Sequence, residues 1–188
     1  IGAKVLLDLK NYSGQSLVYF EDTSANMGYN PINQSSQLNF LQTLSAPDSS
    51  TYNWGGNMAV SSDGNYAVIS NHDANYRGSV GYVAMYEYNS SSNTWVQRGT
   101  EQYDNANNNF SYINDVAISD DGNTVANGAM TSTTSKGYVN VYYWDTTLNP
   151  PDWSQKGTIT AENRTRWGIQ LRMSGDGNTI SVADTHGS

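Results

Sequence analysis

The strongest constraint on this chain is a short element that returns at nearly even spacing. Ser-x-Asp-Gly-Asn occurs as SSDGN at 61–65, SDDGN at 119–123 and SGDGN at 174–178, placing Asp63, Asp121 and Asp176 at intervals of 58 and 55 residues. An aromatic residue precedes each Asp by nine positions: Trp54, Tyr112 and Trp167. A second element, Gly-Tyr-Val-x-x-Tyr, stands at 81–86 and 137–142, with an earlier relative, GQSLVY, at 14–19. A third is aromatic-x-Gln, at Phe40–Gln42, Trp95–Gln97 and Trp153–Gln155. Independent anchors that keep one order and one period mark a repeated supersecondary unit, whose copies seal each other's apolar faces.

Each period holds four strand-like runs. In the copy after Tyr112 these are Asp115–Ser119, Thr124–Ala129, Tyr138–Trp144 and Trp153–Ile159. Val, Ile, Tyr and Trp fill them, and Gly, Asn, Asp and Ser bound them, which is the signature of short antiparallel strands. The first two runs, VAIS and TVANGA, carry apolar or small residues on both pleat faces. Strands that read this way are covered on both sides. The fourth run is more polar and suits an outer edge. The expected fold is therefore all-β, built of β-propeller blades of four antiparallel strands. Composition agrees: 14 Tyr and 5 Trp supply amphipathic core aromatics in a chain that is only 37% hydrophobic.

The succession aromatic-Gly, VAxSxDG, Gly-x-Val-x-Val-Tyr and Trp-x-Gln resembles the FG-GAP-type propeller repeat of integrin alpha heads and of secreted bacterial, algal and large-virus proteins. The family's Phe-Gly stands here as Trp54-Gly55 and Trp167-Gly168, and as Tyr112-Ile113 in the middle copy. The resemblance covers nearly all of the chain and implies a module of extracellular recognition or adhesion. Residues 1–188 then form a single propeller region: a partial blade at 1–50, blades at 51–108 and 109–163, and a partial blade at 164–188. About three blades' worth of strands is expected to continue into further blades of a longer, closed propeller. An open array is the alternative.

The Asp-Gly element admits three readings. The integrin-like calcium loop resembles D-x-D/N-x-D-G-x-x-D, and calcium takes six to eight oxygens with carboxylates prominent. Here Ser61, Ser119 and Ser174 stand two residues before the Asp, and Tyr66, Thr124 and Thr179 take the place of the last one. The sialidase-type Asp box resembles S-x-D-x-G-x-T-W, but here Asp and Gly are adjacent and no Trp follows. The third reading is structural: Asp63-Gly64, Asp121-Gly122 and Asp176-Gly177 are expected to form two-residue type I′ hairpins, in which both central residues need positive φ. Turns must recur in every blade, whereas catalytic residues need not. The turn is preferred, with no metal site.

Net charge of −8 and scattered Lys and Arg disfavour a phosphate backbone, so no nucleic acid is expected. No apolar run reaches the length needed to span a bilayer, and no membrane insertion is expected. The absence of Cys excludes disulfides and thiolate metal sites. His72 and His186 fall in loops of different units and are expected at the surface. No Gly-x-Ser-x-Gly elbow or Gly-rich phosphate loop occurs, so no catalytic residue and no cofactor are expected.

Loop aromatics Tyr52, Tyr76 and Tyr103 are candidate contacts to a protein or glycan, because Tyr gives contact area at low entropic cost. Asn11, Asn33, Asn89, Asn109 and Asn163 begin glycosylation sequons in expected loops. The insertion 21–37 exceeds the matching loops of other units and is a further place for a distinctive contact. The expected function is noncatalytic recognition, adhesion or assembly at an extracellular, cell-surface or virion surface. A carbohydrate-binding lectin is the first alternative. A hydrolase or lyase whose active residues lie in other blades is the second.

Overall fold

The computed structural model describes residues 4–8, 15–21, 39–47, 54–72, 81–103, 111–131, 136–165 and 167–184. Within them the chain is all strand and turn. The first sheet is β1 (Lys4–Asp8), β2 (Gln15–Glu21) and β3 (Asn39–Ser45), paired in that order. The second is β4 (Trp54–Val60), β5 (Tyr66–Asn71), β6 (Tyr82–Asn89) and β7 (Thr94–Gln97), with β8 (Gln102–Tyr103) also paired to β6. The third is β9 (Ser111–Ile118), β10 (Thr124–Thr131), β11 (Lys136–Asp145) and β12 (Asp152–Thr165); the fourth is β13 (Trp167–Met173) and β14 (Ile180–Asp184). All pairings are antiparallel between sequence neighbours except β6 with β8, so the four-stranded sheets are meanders, as in a propeller-like fold. β12 runs to Thr165, past the expected unit boundary at 163.

Continuous apolar runs become strands covered on both sides because alternate residues serve different cores. In β5, Ala67 and Ile69 face a cluster with Leu44, Trp54 and Tyr82, while Val68 between them joins Val83, Met85, Val116 and Val125. In the third sheet, Val125, Ala129, Tyr138 and Tyr142 pack toward the second sheet. Their neighbours Ala126, Val139 and Val141 pack with Leu171, beside Met173, Ile180 and Val182 of the fourth. Each fully buried Val, Ile or Met contributes about 1.5–3 kcal/mol. Sheets therefore stack in series, each sealing the next.

Directly after the repeat-locked aromatic, register shifts between Trp54 and Met58, beside Ile113, and between Trp167 and Gln170. A bulge re-aims the side chain that follows it. Asn57 and Asp115, which hold the same place in successive repeats, both reach into the next sheet. The Asn57 Nδ2 donates to the Ile113 carbonyl at 3.1 Å, and Asp115 Oδ2 accepts from the Leu171 amide at 2.8 Å.

The Asp-Gly hairpins depart from the type I′ expectation. Only the glycines have positive φ: 75° at Gly64, 67° at Gly122 and 68° at Gly177. Ser61 N–H donates to the Tyr66 carbonyl at 2.9 Å, and Gly64 N–H donates to the Ser61 carbonyl at 2.9 Å, so that Ser61–Gly64 form a four-residue turn ending in a left-handed glycine. The other two hairpins repeat this pattern. Asp avoids positive φ because its carboxylate already organises the turn from its standard backbone conformation.

Candidate functional site

β4, β9 and β13, the first strands of their sheets, together line a cleft of about 370 Å³. Met58 and Ala59, Asp115 to Ile118, and Leu171 to Met173 form its walls. Its polar feature is a pair of charges at 3.3 Å, Arg172 Nη1 donating to Asp115 Oδ2. Asp115 sits at the β9 bulge with a mostly covered side chain, whereas that of Arg172 is 79% exposed. The Asp115 carboxylate accepts from Val116 N–H at 2.9 Å as well as from Leu171 N–H and Arg172. Three donors, one of them the Leu171 amide of the neighbouring sheet, fix the Asp115 carboxylate in the cleft wall. Sequence reading missed the pair; the available signal was that Asp115 and Asn57 share one repeat position.

The Asp-Gly hairpins make a second recurrent arrangement. Ser61 Oγ–H donates to Asp63 Oδ1 at 2.6 Å, Asn65 N–H to the same oxygen at 2.9 Å, and Asn65 Nδ2 to Oδ2 at 2.7 Å. Ser119, Asp121 and Asn123 do the same, as do Ser174, Asp176 and Asn178. At Asp63 and Asp121 partial burial pushes the pKa up, but these hydrogen bonds outweigh it and hold it below the usual value; Arg98 assists at Asp121. At exposed Asp176 the Ser174 and Asn178 bonds lower it directly. Among the described residues no group of three or more His, Asp or Glu could hold a metal ion.

The hairpins also lean on one another. A Cβ on Gly122 would lie 2.1 Å from the Tyr66 ring, and one on Gly177 2.9 Å from Thr124, which holds the same repeat position as Tyr66. Arg98 fastens the same rim. Its guanidinium lies 4.8 Å from the Tyr66 ring centre and 4.4 Å from that of Trp144, and donates to the Gly122 carbonyl and Asn123 Oδ1 at 2.7 and 2.8 Å. Burial lowers its pKa, yet a guanidinium stays charged at neutrality. Nothing in the repeat anchors singled out Arg98.

Of the candidate contact aromatics, Tyr103 lies on β8, 43% exposed, with its ring 5.2 Å from buried Tyr82. Tyr52 and Tyr76 lie outside the described residues, as do His186, Asn11, Asn33, Asn109 and all of the 21–37 insertion except Glu21. Asn89 is exposed at the end of β6, where its Oδ1 accepts from Ser91 N–H at 3.0 Å. Asn163 falls within β12 rather than in the expected loop. His72 corrects another expectation: it is half-buried beside Tyr112, ring centres 5.8 Å apart, and bonds the Ile113 carbonyl. The bulged start of β9 draws it inward.

No family model and no curated protein matches this chain. Among solved structures, it is similar over 88% of its length to a chain of Kuenenia stuttgartiensis hydrazine synthase, at 14% identity and a TM-score of 0.49. It spans about 40% of that chain. What the described residues define is an all-β protein of stacked antiparallel sheets, propeller-like in architecture.

Proposed function

We propose that this chain is a noncatalytic β-propeller module of the FG-GAP type, serving recognition, adhesion or assembly at an extracellular, cell or particle surface. Its sheets are blades of a longer, closed propeller, and Asp63-Gly64, Asp121-Gly122 and Asp176-Gly177 are structural turns without metal. One observation carries the reading: the ionisable side chains at the Asp-Gly hairpins, the β9 bulge and the Arg98 rim are spent on the scaffold. Asp115, Asp121 and Arg98 tie one sheet to the next, and Asp63 and Asp176 close their own hairpins. Fold alone does not set function, so support comes from the use of these groups. The partner is a protein or glycan rather than nucleic acid, which the charge of −8 repels.

Fluorescently labelled chain is expected to bind intact cells saturably, with binding weakened by a combined Arg172→Ala and Tyr103→Ala change. Turnover of any ester, glycoside or uronate substrate that Asp115→Asn abolishes would refute it. The lectin reading is favoured by the exposed Tyr103 ring backed by buried Tyr82, a platform on which a sugar face can stack. A glycan array separates the two: retention of a defined glycan that Tyr103→Ala removes selects the lectin.

A further inference from the structure

An Asp-Gly step is unusually open to succinimide closure, because glycine carries no side chain to hinder the approach of its nitrogen. In that reaction the glycine nitrogen attacks the aspartic Cγ and an N–C bond forms. The Cγ–OH bond of the protonated carboxyl breaks, and its hydroxyl leaves with the nitrogen's proton as water. Water then opens the ring; opening at the α-carbonyl gives isoaspartate, with one extra carbon in the main chain. This chain sets such a step in each repeat of its hairpin, at Asp63-Gly64, Asp121-Gly122 and Asp176-Gly177.

The closed hairpin engages both reacting groups. The nitrogen that would attack is held by its own hydrogen bond: Gly64 N–H donates to the Ser61 carbonyl at 2.9 Å, Gly122 N–H to that of Ser119 at 3.0 Å, and Gly177 N–H to that of Ser174 at 2.9 Å. The carboxylate that would be attacked has both oxygens occupied, by the serine hydroxyl and by the amide and side chain of the following Asn. These bonds favour its ionised form, which has no hydroxyl to lose. The serine is locked as well, since its Oγ accepts from the strand that leaves the turn: Tyr66 N–H at 3.0 Å on Ser61, and Thr124 N–H at 2.9 Å on Ser119. Ser61 is 5% and Ser119 0% exposed, so neither hydroxyl is free to turn to water. Ring closure therefore needs the hairpin to open first.

We propose that the Asp-Gly hairpins are gated modification sites, in which the Ser-Asp-Asn clasp blocks isoaspartate formation while closed and releases it on opening. The product cannot rebuild the turn. An added main-chain carbon moves the carboxylate away from the Ser hydroxyl and the Asn amide, so a hairpin that has reacted stays open. The element that joins the first two strands of each sheet is thus also the point where reversible opening becomes permanent. The proposal stands on the turn geometry and is independent of what the module recognises.

The test ages the whole chain at neutral pH, folded and in urea, and measures isoaspartate at Asp63 and Asp121 by electron-transfer peptide mapping. Folded chain is expected to react at least about tenfold more slowly at both, because modification follows the open fraction. Asn65 is exposed, and Asn65→Ala removes only its side-chain bond to Asp63. That variant is expected to speed isomerisation at Asp63 about threefold to tenfold, one hydrogen bond's share of closing, and to leave Asp121 unchanged. Ser119→Ala is expected to do the reverse. Equal rates in folded and unfolded chain overturn the proposal, as does a variant in which the two positions change alike or not at all. Chain isomerised at Asp121 in urea and returned to buffer is expected to lack slow amide exchange at Gly122. Full recovery of that protection would overturn the permanence of opening.

Discussion

Asn127 occupies, in the second strand of its sheet, the place that Ile69 and Val182 hold in the repeats on either side. It is 1% exposed, opposite buried Val116 in the strand pairing, and neither side-chain polar atom has a partner among the described residues. A buried amide without hydrogen bonds costs free energy that an apolar side chain of similar size does not. Asn127→Val is therefore expected to raise unfolding free energy by about 1–2 kcal/mol in urea titrations. A loss of stability would mean that the amide is paired. In the sequence, TVANGA read as a small-residue strand, which located β10 correctly. It did not reveal the cost at Asn127, because burial of one position depends on the sheet packed against it.

The Asp-Gly hairpin is the element whose behaviour pH should expose. Its carboxylates are held below their usual pKa when folded, so their stabilisation is complete above the unfolded value of about 3.9 and is lost as pH falls through the folded values. The urea midpoint is expected to stay level from neutrality to about pH 5 and to fall below about pH 4. Asp121→Asn is expected to shallow that fall. An identical acid profile in the variant would show that the carboxylate takes no part. That these segments turn was legible in Asp-Gly-Asn itself, and the turn type was not. The pair admits type I′, but Ser119 and Asn123 bind the carboxylate and select a conformation in which glycine alone is left-handed. β8 was equally hidden, since two residues have no periodicity and Gln102–Tyr103 becomes a strand only through pairing with Tyr82 and Val83.

At the scale of the molecule, the spacing of Trp54, Tyr112 and Trp167 carried the all-β, four-stranded organisation, because a period can be read without knowing any contact. The contacts that fasten the sheets were invisible for the converse reason. Arg98 and its ring partners Tyr66 and Trp144 lie far apart in sequence, and only the packed sheets bring them together. That sandwich also offers the most direct measurement of whether successive sheets stack face to face, a double-mutant cycle between Arg98→Met and Trp144→Leu by chemical unfolding. Face-to-face packing is expected to give a coupling of about 1–2 kcal/mol, as for a desolvated cation over an indole. Single-mutant losses that simply add, within about 0.3 kcal/mol, would contradict it.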